Sequence, residues 1–568
     1  MRKRRLALAL SAGLWSVAAA EAQPVEYEVL ATTGELGPGM PPGWRFTRFD
    51  QPFVDELGRV TFLAHFNSGQ AVYRTTGIDP QVLVRTGETP PGYEPGDELG
   101  SIRSLDHVNR VGDVGLEAWI EFGDSSPTLL GTWTYKDDAG LRGVSFGGLR
   151  APGTTSVMCS GQAHWYEYLM SNAGHVAIYN HLCGTGGNDR QGIWASDEHG
   201  ENLRLVILEN RPTEILPNTD VSYFRKPQSI NSQGTVVFDA FLEGDGITEA
   251  NDYVFCAWNA QSGYSVVARE GDPVPGFPPT VTYKQIEGVR VNDLGHTMIL
   301  ATVEGPGISE AWDQVILSDR DGNGLEHVYR EGMQAPQQPP GATISSISDV
   351  YFNNKSQIAF MSRVAGSSDY FWSEGGPPGL TLVAHTGQVV PGFDEPHILS
   401  DFRSYDLGAG YGPDPVFTDS GRLVFFGHIE GPLPDRINSY NRYYISDAVG
   451  ELRDILPPGT ELDVSSVPGS PDIRTVDGKS YRLAGSANNA DQVAALAHFT
   501  DSSSAVVLVS YADACLADVN GDGAVSPADF SAWVAAYNAS APGCDQNEDG
   551  QCTPADFSAW VINYNNGC

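Results

Sequence analysis

Two stretches near the C-terminus carry oxygen-bearing side chains at a spacing suited to a divalent cation. In the first, Asp518, Asn520, Asp522, Ser526 and Asp529 fall at positions 1, 3, 5, 9 and 12 of a loop, with Gly523 at position 6. Ca2+ takes about six to eight oxygens, and this order wraps them round one ion. Gly523 permits the sharp turn, and Ala524 offers its backbone carbonyl at position 7. The pattern recurs 27 residues later as Asp545, Asn547, Asp549, Gly550, Gln551, Thr553 and Asp556. The spacing predicts two bound Ca2+ ions, one per loop. Position 12 is Asp in both loops, a shorter arm than Glu, which weakens a two-oxygen grip and lowers affinity.

Each loop must be held by the segment after it. Phe530, Trp533, Val534 and Tyr537 stand at i, i+3, i+4 and i+7, one apolar face of a helix. Phe557, Trp560, Val561 and Tyr564 repeat the pattern. Helices this short need each other's apolar faces, so part of the stripe reads as core. The segment 515–568 is too small for a large core, and metal and disulfides are expected to supply the missing stability. Four of the seven cysteines lie here: Cys515, Cys544, Cys552 and Cys568. Cys159 and Cys183 form a plausible pair elsewhere, leaving Cys256 as a buried thiol.

Two loop–helix units in this ligand order resemble a dockerin. The cysteine frame and the final Gly567-Cys568 are similar to the GC-type dockerin-like modules. The resemblance implies attachment to a cohesin-like or other surface receptor. Dockerins meet cohesins through helix residues near loop positions 10 and 11. Those positions are Pro527 and Ala528, then Pro554 and Ala555, unlike the hydroxyl-rich pairs of cellulosomal dockerins.

The preceding chain is self-similar. An Asn-type turn followed by a strand occurs at Asn231–Phe238, Asn292–Ile299, Asn353–Phe360 and Thr418–Phe425, with weaker copies from Asp55, Asn109, Ser171 and Asn488. The turn glycines are 58, 112, 174, 234, 295 and 421, with Ser356 and Asp491 standing in, at spacings of 54 to 70 residues. Asn and Gly tolerate the left-handed conformation of a tight turn. A second strand with a Gly tail follows, clearest at Val266–Gly276 and seen again at Leu83–Gly87, Val328–Gly332 and Leu382–Gly387. A hairpin lies between the two units and another alternating stretch follows the second. That makes about four short strands per repeat, a sheet that buries both faces only by stacking on its neighbours.

The final repeat lacks its second unit, and a copy of that unit stands at Val29–Glu35 near the other end. The expected architecture is therefore an all-β repeat domain, residues 23–511, closed as an eight-bladed β-propeller with N-terminal strands completing the last blade. An open β-solenoid or two smaller β domains would also stack the repeats. The repeats resemble the exported tandem-repeat family with the NxxGxxAF signature and varied C-terminal anchors, most clearly at Asn353–Phe360 and Asn231–Phe238. That resemblance implies architecture and export, and brings no reaction with it. After the repeats comes the small α-helical dockerin-like module, 515–568, with its two EF-hand-like loops.

Composition bounds the function. Met1–Arg5 reads MRKRR, Leu6–Ala20 is apolar, and Ala20-Glu21-Ala22 fits a cleavage site, so residues 1–22 are expected to be a secretory signal peptide. The chain has 71 Asp and Glu against 34 Lys and Arg, a formal charge of −37, and loss of the leader would make it −40. Such an acid excess argues against nucleic acid or an anionic membrane as partner. No later segment has the roughly 18 apolar residues of a membrane span. Gly (64) and Pro (37) make up about 18% of the chain against an average of roughly 12%, favouring turns and short strands over long helices.

Catalytic motifs are absent: there is no H-E-x-x-H, no G-x-S-x-G and no P-loop. The histidines sit mostly beside turns, and Asp319–Gly324, although calcium-like, falls where other repeats have a plain hairpin turn. Glu117 or Asp239 would suit a glycosidase or lyase, and Trp165, Tyr166 and Tyr168 would suit sugar stacking, but solvated surface is the default for the acids and core packing the better account of the aromatics. The expected role is a secreted or surface-associated, non-catalytic propeller that presents a binding surface to a glycan or protein. Its tail would attach it to a partner in a calcium-dependent way. The alternative is an exported polysaccharide-directed enzyme with its site in the central funnel. Convergent acids with His, Tyr or Arg in that funnel would favour the enzyme, and an apolar plug the binder.

Overall fold

The computed structural model describes residues 25–76, 79–123, 128–159, 167–183, 190–364, 368–376, 379–391, 393, 396–402, 415–431, 439–446, 452–465, 470–477, 486–511, 517, 519, 526–539, 542–544, 546 and 552–566. It forms two compact units, one spanning Tyr27–Ser510 and the other containing the C-terminal segment from Tyr511.

The first unit is an eight-bladed β-propeller. Blade 1 runs outward from Phe46–Phe49 through Val60–Phe66 and Gly69–Thr76 to Asp79–Arg85, each strand antiparallel to the next. Blades 2 to 7 repeat this order over residues 98–146, 157–208, 211–269, 282–330, 344–385 and 389–454. Blade 8 joins the two ends of the repeat region. Ser486–Ala487, Gln492–His498 and Ser504–Tyr511 are completed on the outside by Val25–Thr32. A propeller that borrows its last strand this way leaves no gap in the ring.

The core lies between blades. Along Val236–Gly244 the side chains alternate, as the period of two dictates. Val236, Phe238, Ala240 and Leu242 pack toward blade 3, while Val237 packs toward blade 5. Similar clusters join blades 8 and 1, 1 and 2, 2 and 3, 5 and 6, and 6 and 7. Cys159 and Cys183 are disulfide-bonded and Cys256 is a buried free thiol, as expected. Asp319–Gly324 is a hairpin turn, with Gly322 N donating to Asp319 O.

The repeat's Asn has a different task from the one its turn suggested. The left-handed residue is the fourth of each turn, including Ser356 (φ 60°) and Asp491 (φ 55°), and none of the leading asparagines adopts it. The Asn is buried instead. Its Oδ1 accepts the backbone N–H groups two and four residues on, as at Leu294 and His296 for Asn292. Its Nδ2 reaches the first-position carbonyl of the next blade: Asn109 to Ser171, Asn231 to Asn292, Asn292 to Asn353, Asn353 to Thr418 and Asn488 to Asp55, at 2.8–3.1 Å. All five leading asparagines make this bond. Asp55, Ser171 and Thr418, which have no amide donor, keep only bonds within their own turn from these side-chain oxygens or, at Asp55, add ion pairing to Arg59.

Removing one Asn amide strands a neighbour's carbonyl and two N–H groups in a buried place. Asn292→Ala is expected to cost about 2 kcal/mol or more in thermal or urea unfolding. Leu294→Ala, at an exposed site in the same turn, should change stability little.

Candidate functional site

The second turn positions converge where the turns meet. They are Glu56, Arg110, Asn172, Ser232, Asp293, Asn354, Asp419 and Asn489. Backbone N–H groups here bond side chains of the following blade: Ser232 to Asp293, Asp293 to Asn354, Asn354 to Asp419, Asp419 to Asn489 and Asn489 to Glu56, at 2.7–3.1 Å. Other bonds skip blades. Asn172 Nδ2 donates to Asp293 Oδ2 at 2.7 Å, joining blades 3 and 5, and Arg110 pairs with Asp419, joining blades 2 and 7. Burial opposes ionisation of Asp419, but the Arg110 bond and charge hold its carboxyl below the usual range. Where these turns meet, the described second-position residues form neither an apolar plug nor a set of free acids. These groups form a polar knot and bind one another across the ring.

Glu117 and Asp239 occupy the same repeat position, eight residues after the turn begins. Six residues before the turn, the same two blades carry Arg103 and Arg225. Arg103 Nη1 lies 3.4 Å from Glu117, and Arg225 Nε lies 3.1 Å from Asp239. Other blades fill this pair of positions with Phe49 and Leu63, Ile286 and Leu300, or Ile347 and Met361. The acids thus belong to ion pairs that replace apolar pairs. Tyr253 also donates to Asp239 Oδ2 at 2.8 Å. Burial pushes the Asp239 carboxyl up, against the pull of Tyr253 and Arg225. Asp239 is fully buried, so a substrate does not reach it in this conformation. Trp165 and Tyr166 lie outside the described residues, and Tyr168 is a buried core residue.

In the C-terminal unit, α1 (Pro527–Ala539) and α2 (Pro554–Asn566) each begin directly after a loop. Ser526 Oγ accepts from Ala528 N, and Asp529 Oδ2 accepts from Ser526 N, a reciprocal cap at the start of α1. Thr553 and Asp556 repeat this on α2, where Asp556 Oδ1 also accepts from Gln546 N at 2.9 Å. Both position-12 carboxylates are fully buried. Asp518, Asn520, Asp522, Ala524, Asp545, Asn547, Asp549 and Gln551 lie outside the described residues. Among the described residues, no group of three or more His, Cys, Asp or Glu is placed to hold a metal. The described donors, oxygens of buried acids at the two loop ends, are of the type a Ca2+ site uses.

The predicted stripe is partly core. Trp533 and Trp560 are buried, and Trp533 Nε1 donates to Cys544 O. Phe530, Val534, Phe557 and Val561 are 37–44% exposed, although Phe530 and Phe557 touch both tryptophans or each other. Cys544 and Cys552 are joined. Cys515 and Cys568 lie outside the described residues. Among the described residues, no helix is long and apolar enough to cross a membrane.

A family model described as a family of unknown function, DUF7453, matches residues 9–375 and 366–513. No curated protein matches the sequence. Similar solved structures include the β-propeller domain of the Trilobed protease from Pyrococcus furiosus, 8% identical, covering 72% of this chain and 97% of that one, with a TM-score of 0.34. Pyrococcus horikoshii acylaminoacyl peptidase is 9% identical over 80% of this chain and 58% of its own, with a TM-score of 0.33. The polysaccharide lyase Uly1 is 10% identical over 75% and 98%, with a TM-score of 0.32.

Two further acids carry a pH dependence. Burial, with Asp252 beside Glu270 and Asp313 beside Glu331, pushes both glutamates up to about 7. The folded chain then holds protons that the unfolded chain has lost. Stability is expected to fall as pH rises from about 4.5 to about 7. Unfolding midpoints across that range should fall less steeply in a Glu270→Gln, Glu331→Gln double variant.

Proposed function

The chain belongs to DUF7453, a family of unknown function, so its role is argued from its own two units, and we propose that it is a non-catalytic propeller that presents a binding surface. The observation that carries this reading is the use made of the polar groups near the axis. The charged and amide side chains at the second turn position are engaged in bonds between blades, and Glu117 and Asp239 in ion pairs with Arg103 and Arg225. A general acid or nucleophile needs access to substrate, and neither carboxylate is more than slightly exposed. In the same reading the chain is exported, and its tail is a dockerin-like module that attaches it to a surface or another exported protein. Two Ca2+ ions would be held by Asp518, Asn520, Asp522, Ser526 and Asp529, and by Asp545, Asn547, Asp549, Thr553 and Asp556, with the carbonyls of Ala524 and Gln551. The buried acids at the helix starts support this, because a bound cation lowers the cost of burying them.

One observation favours an enzyme instead: a buried carboxyl pushed above its usual range beside Tyr253 and Arg225 is what a general acid requires. Incubating the full chain with soluble polysaccharides separates the readings. The binding reading expects retention on glycan or protein without new chain ends. Release of shortened products, abolished in Asp239→Asn, would overturn it.

The tail makes a separate prediction. Removing Ca2+ with a chelator should expose 515–568 to proteolysis in the full chain, and added Ca2+ should restore protection. Asp529→Asn with Asp556→Asn should abolish that rescue. Equal cleavage with and without chelator would end the calcium reading.

A further inference from the structure

A cleft of about 720 Å3 opens between blades 3 and 4, beside the outermost strand of blade 3. This is within the roughly 300–1,000 Å3 range of ligand sites. One wall is the segment 150–155, the floor is Leu205–Leu208, and Arg211, Pro212 and Tyr264 close the other side. The 150–155 wall is preorganised. Ala151 N donates to Ser156 O, Thr154 N to Ala151 O, and Trp194 Nε1 to Pro152 O at 3.0 Å. Gly153 has φ +74°, and a Cβ there would meet Leu205 Cβ at 3.0 Å.

The residues lining this cleft carry positive charge, although Glu214, just outside the lining, acts electrostatically on Tyr264. With 71 acids against 34 bases, most described arginines elsewhere pair with a carboxylate, as Arg59, Arg74, Arg142 and Arg320 do. The cleft lining holds Arg150 and Arg211 and no Asp or Glu. Both arginines are exposed, and neither has a carboxylate partner among the described residues. Arg150 donates through Nε to Thr154 O at 2.9 Å, which fixes the guanidinium and leaves its two terminal nitrogens for a ligand. Two forked donors, one on each side of the cleft, suit a planar carboxylate or a sulfate. Pro212, Leu205 and the Tyr264 ring add an apolar surface of the kind a sugar face lies on.

An acidic peptide is the competing ligand, because Arg204–Leu208 is a sheet edge. That edge is already blocked. The register skips Val206, since Ile193 pairs with Ile207 and Trp194 with Leu205, and Tyr264 donates its hydroxyl to the Val206 carbonyl. A strand added there would have to displace Tyr264.

We propose that this cleft binds an anionic oligosaccharide, with its carboxylate or sulfate held by Arg150 and Arg211. The proposal rests on the binding reading above and gives it a ligand chemistry. Titration calorimetry on the full chain tests it with trigalacturonate, its methyl ester, a κ-carrageenan oligosaccharide and an octaglutamate peptide. Expected is binding of trigalacturonate or of the sulfated sugar, whichever of the two carries the matching anion. The ester should bind about tenfold or more weakly than trigalacturonate if the carboxylate is the anion, and Arg150→Gln with Arg211→Gln should weaken the bound sugar by at least a similar factor. Both arginines are exposed, so the variant should fold, and its unfolding midpoint checks this. Binding unchanged by the double substitution overturns the cleft while leaving the binding reading intact. Arginine-dependent binding of octaglutamate alone, or of none of the probes, also overturns the cleft proposal. Cleavage of a bound sugar overturns the non-catalytic reading instead.

Discussion

One side-chain amide fastens this ring. Each leading Asn does two jobs with one group: its oxygen shapes its own turn, and its nitrogen takes the carbonyl of the next blade. Because the donor and the acceptor are the same repeat position in successive blades, the bond propagates from blade to blade. The buried position matters as much as the bond. An unpaired amide or carbonyl inside the ring would be costly, so neighbouring blades are held at one separation and one angle. The apolar clusters between blades supply most of the driving force, but they are less directional and would tolerate sliding.

The polar knot has a chemical consequence. Acids, amides and one arginine gathered near an axis look, in a sequence, like the makings of an active site. Here each holds a group of another blade. Asp293 serves Ser232, Asn172 and Asn354 at once, and Asp419 serves Asn354, Asn489 and Arg110. Substituting such a residue would loosen several blades together, so loss of function at these positions would report on assembly.

Much of the fold is legible because it repeats. The four-strand unit, the borrowed N-terminal strand and the substitution of Ser356 and Asp491 for glycine all follow from local rules of turns and pairing. The Cys159–Cys183 pair, leaving Cys256 over, is a plausible reading of the cysteines, but connectivity itself has no signature in the sequence. The role of the asparagines does not, because a bond to a carbonyl some sixty residues away has no local signature. Glu117 and Asp239 read as catalytic candidates singly; only their shared repeat position, with an arginine at a second shared position, reveals the ion pair. That signal is present in the sequence once the repeats are aligned by their turns. The cleft between blades 3 and 4 is less accessible still, since its walls come from residues spread from Arg150 to Tyr264.

Blade 8 also decides how the molecule bears load. The strand Ser504–Tyr511 is the last before the C-terminal unit, and it lies inside its sheet, between Gln492–His498 and Val25–Thr32. A pull on the tail therefore enters the propeller along a strand bonded on both sides. Its ladder bonds would resist together, lengthwise, where an edge strand would peel away one bond at a time. Mechanical lifetime under such a pull is set by the rate of unfolding, not by equilibrium stability. The N-terminal strand that closes the ring thus also flanks the strand that such a pull would load.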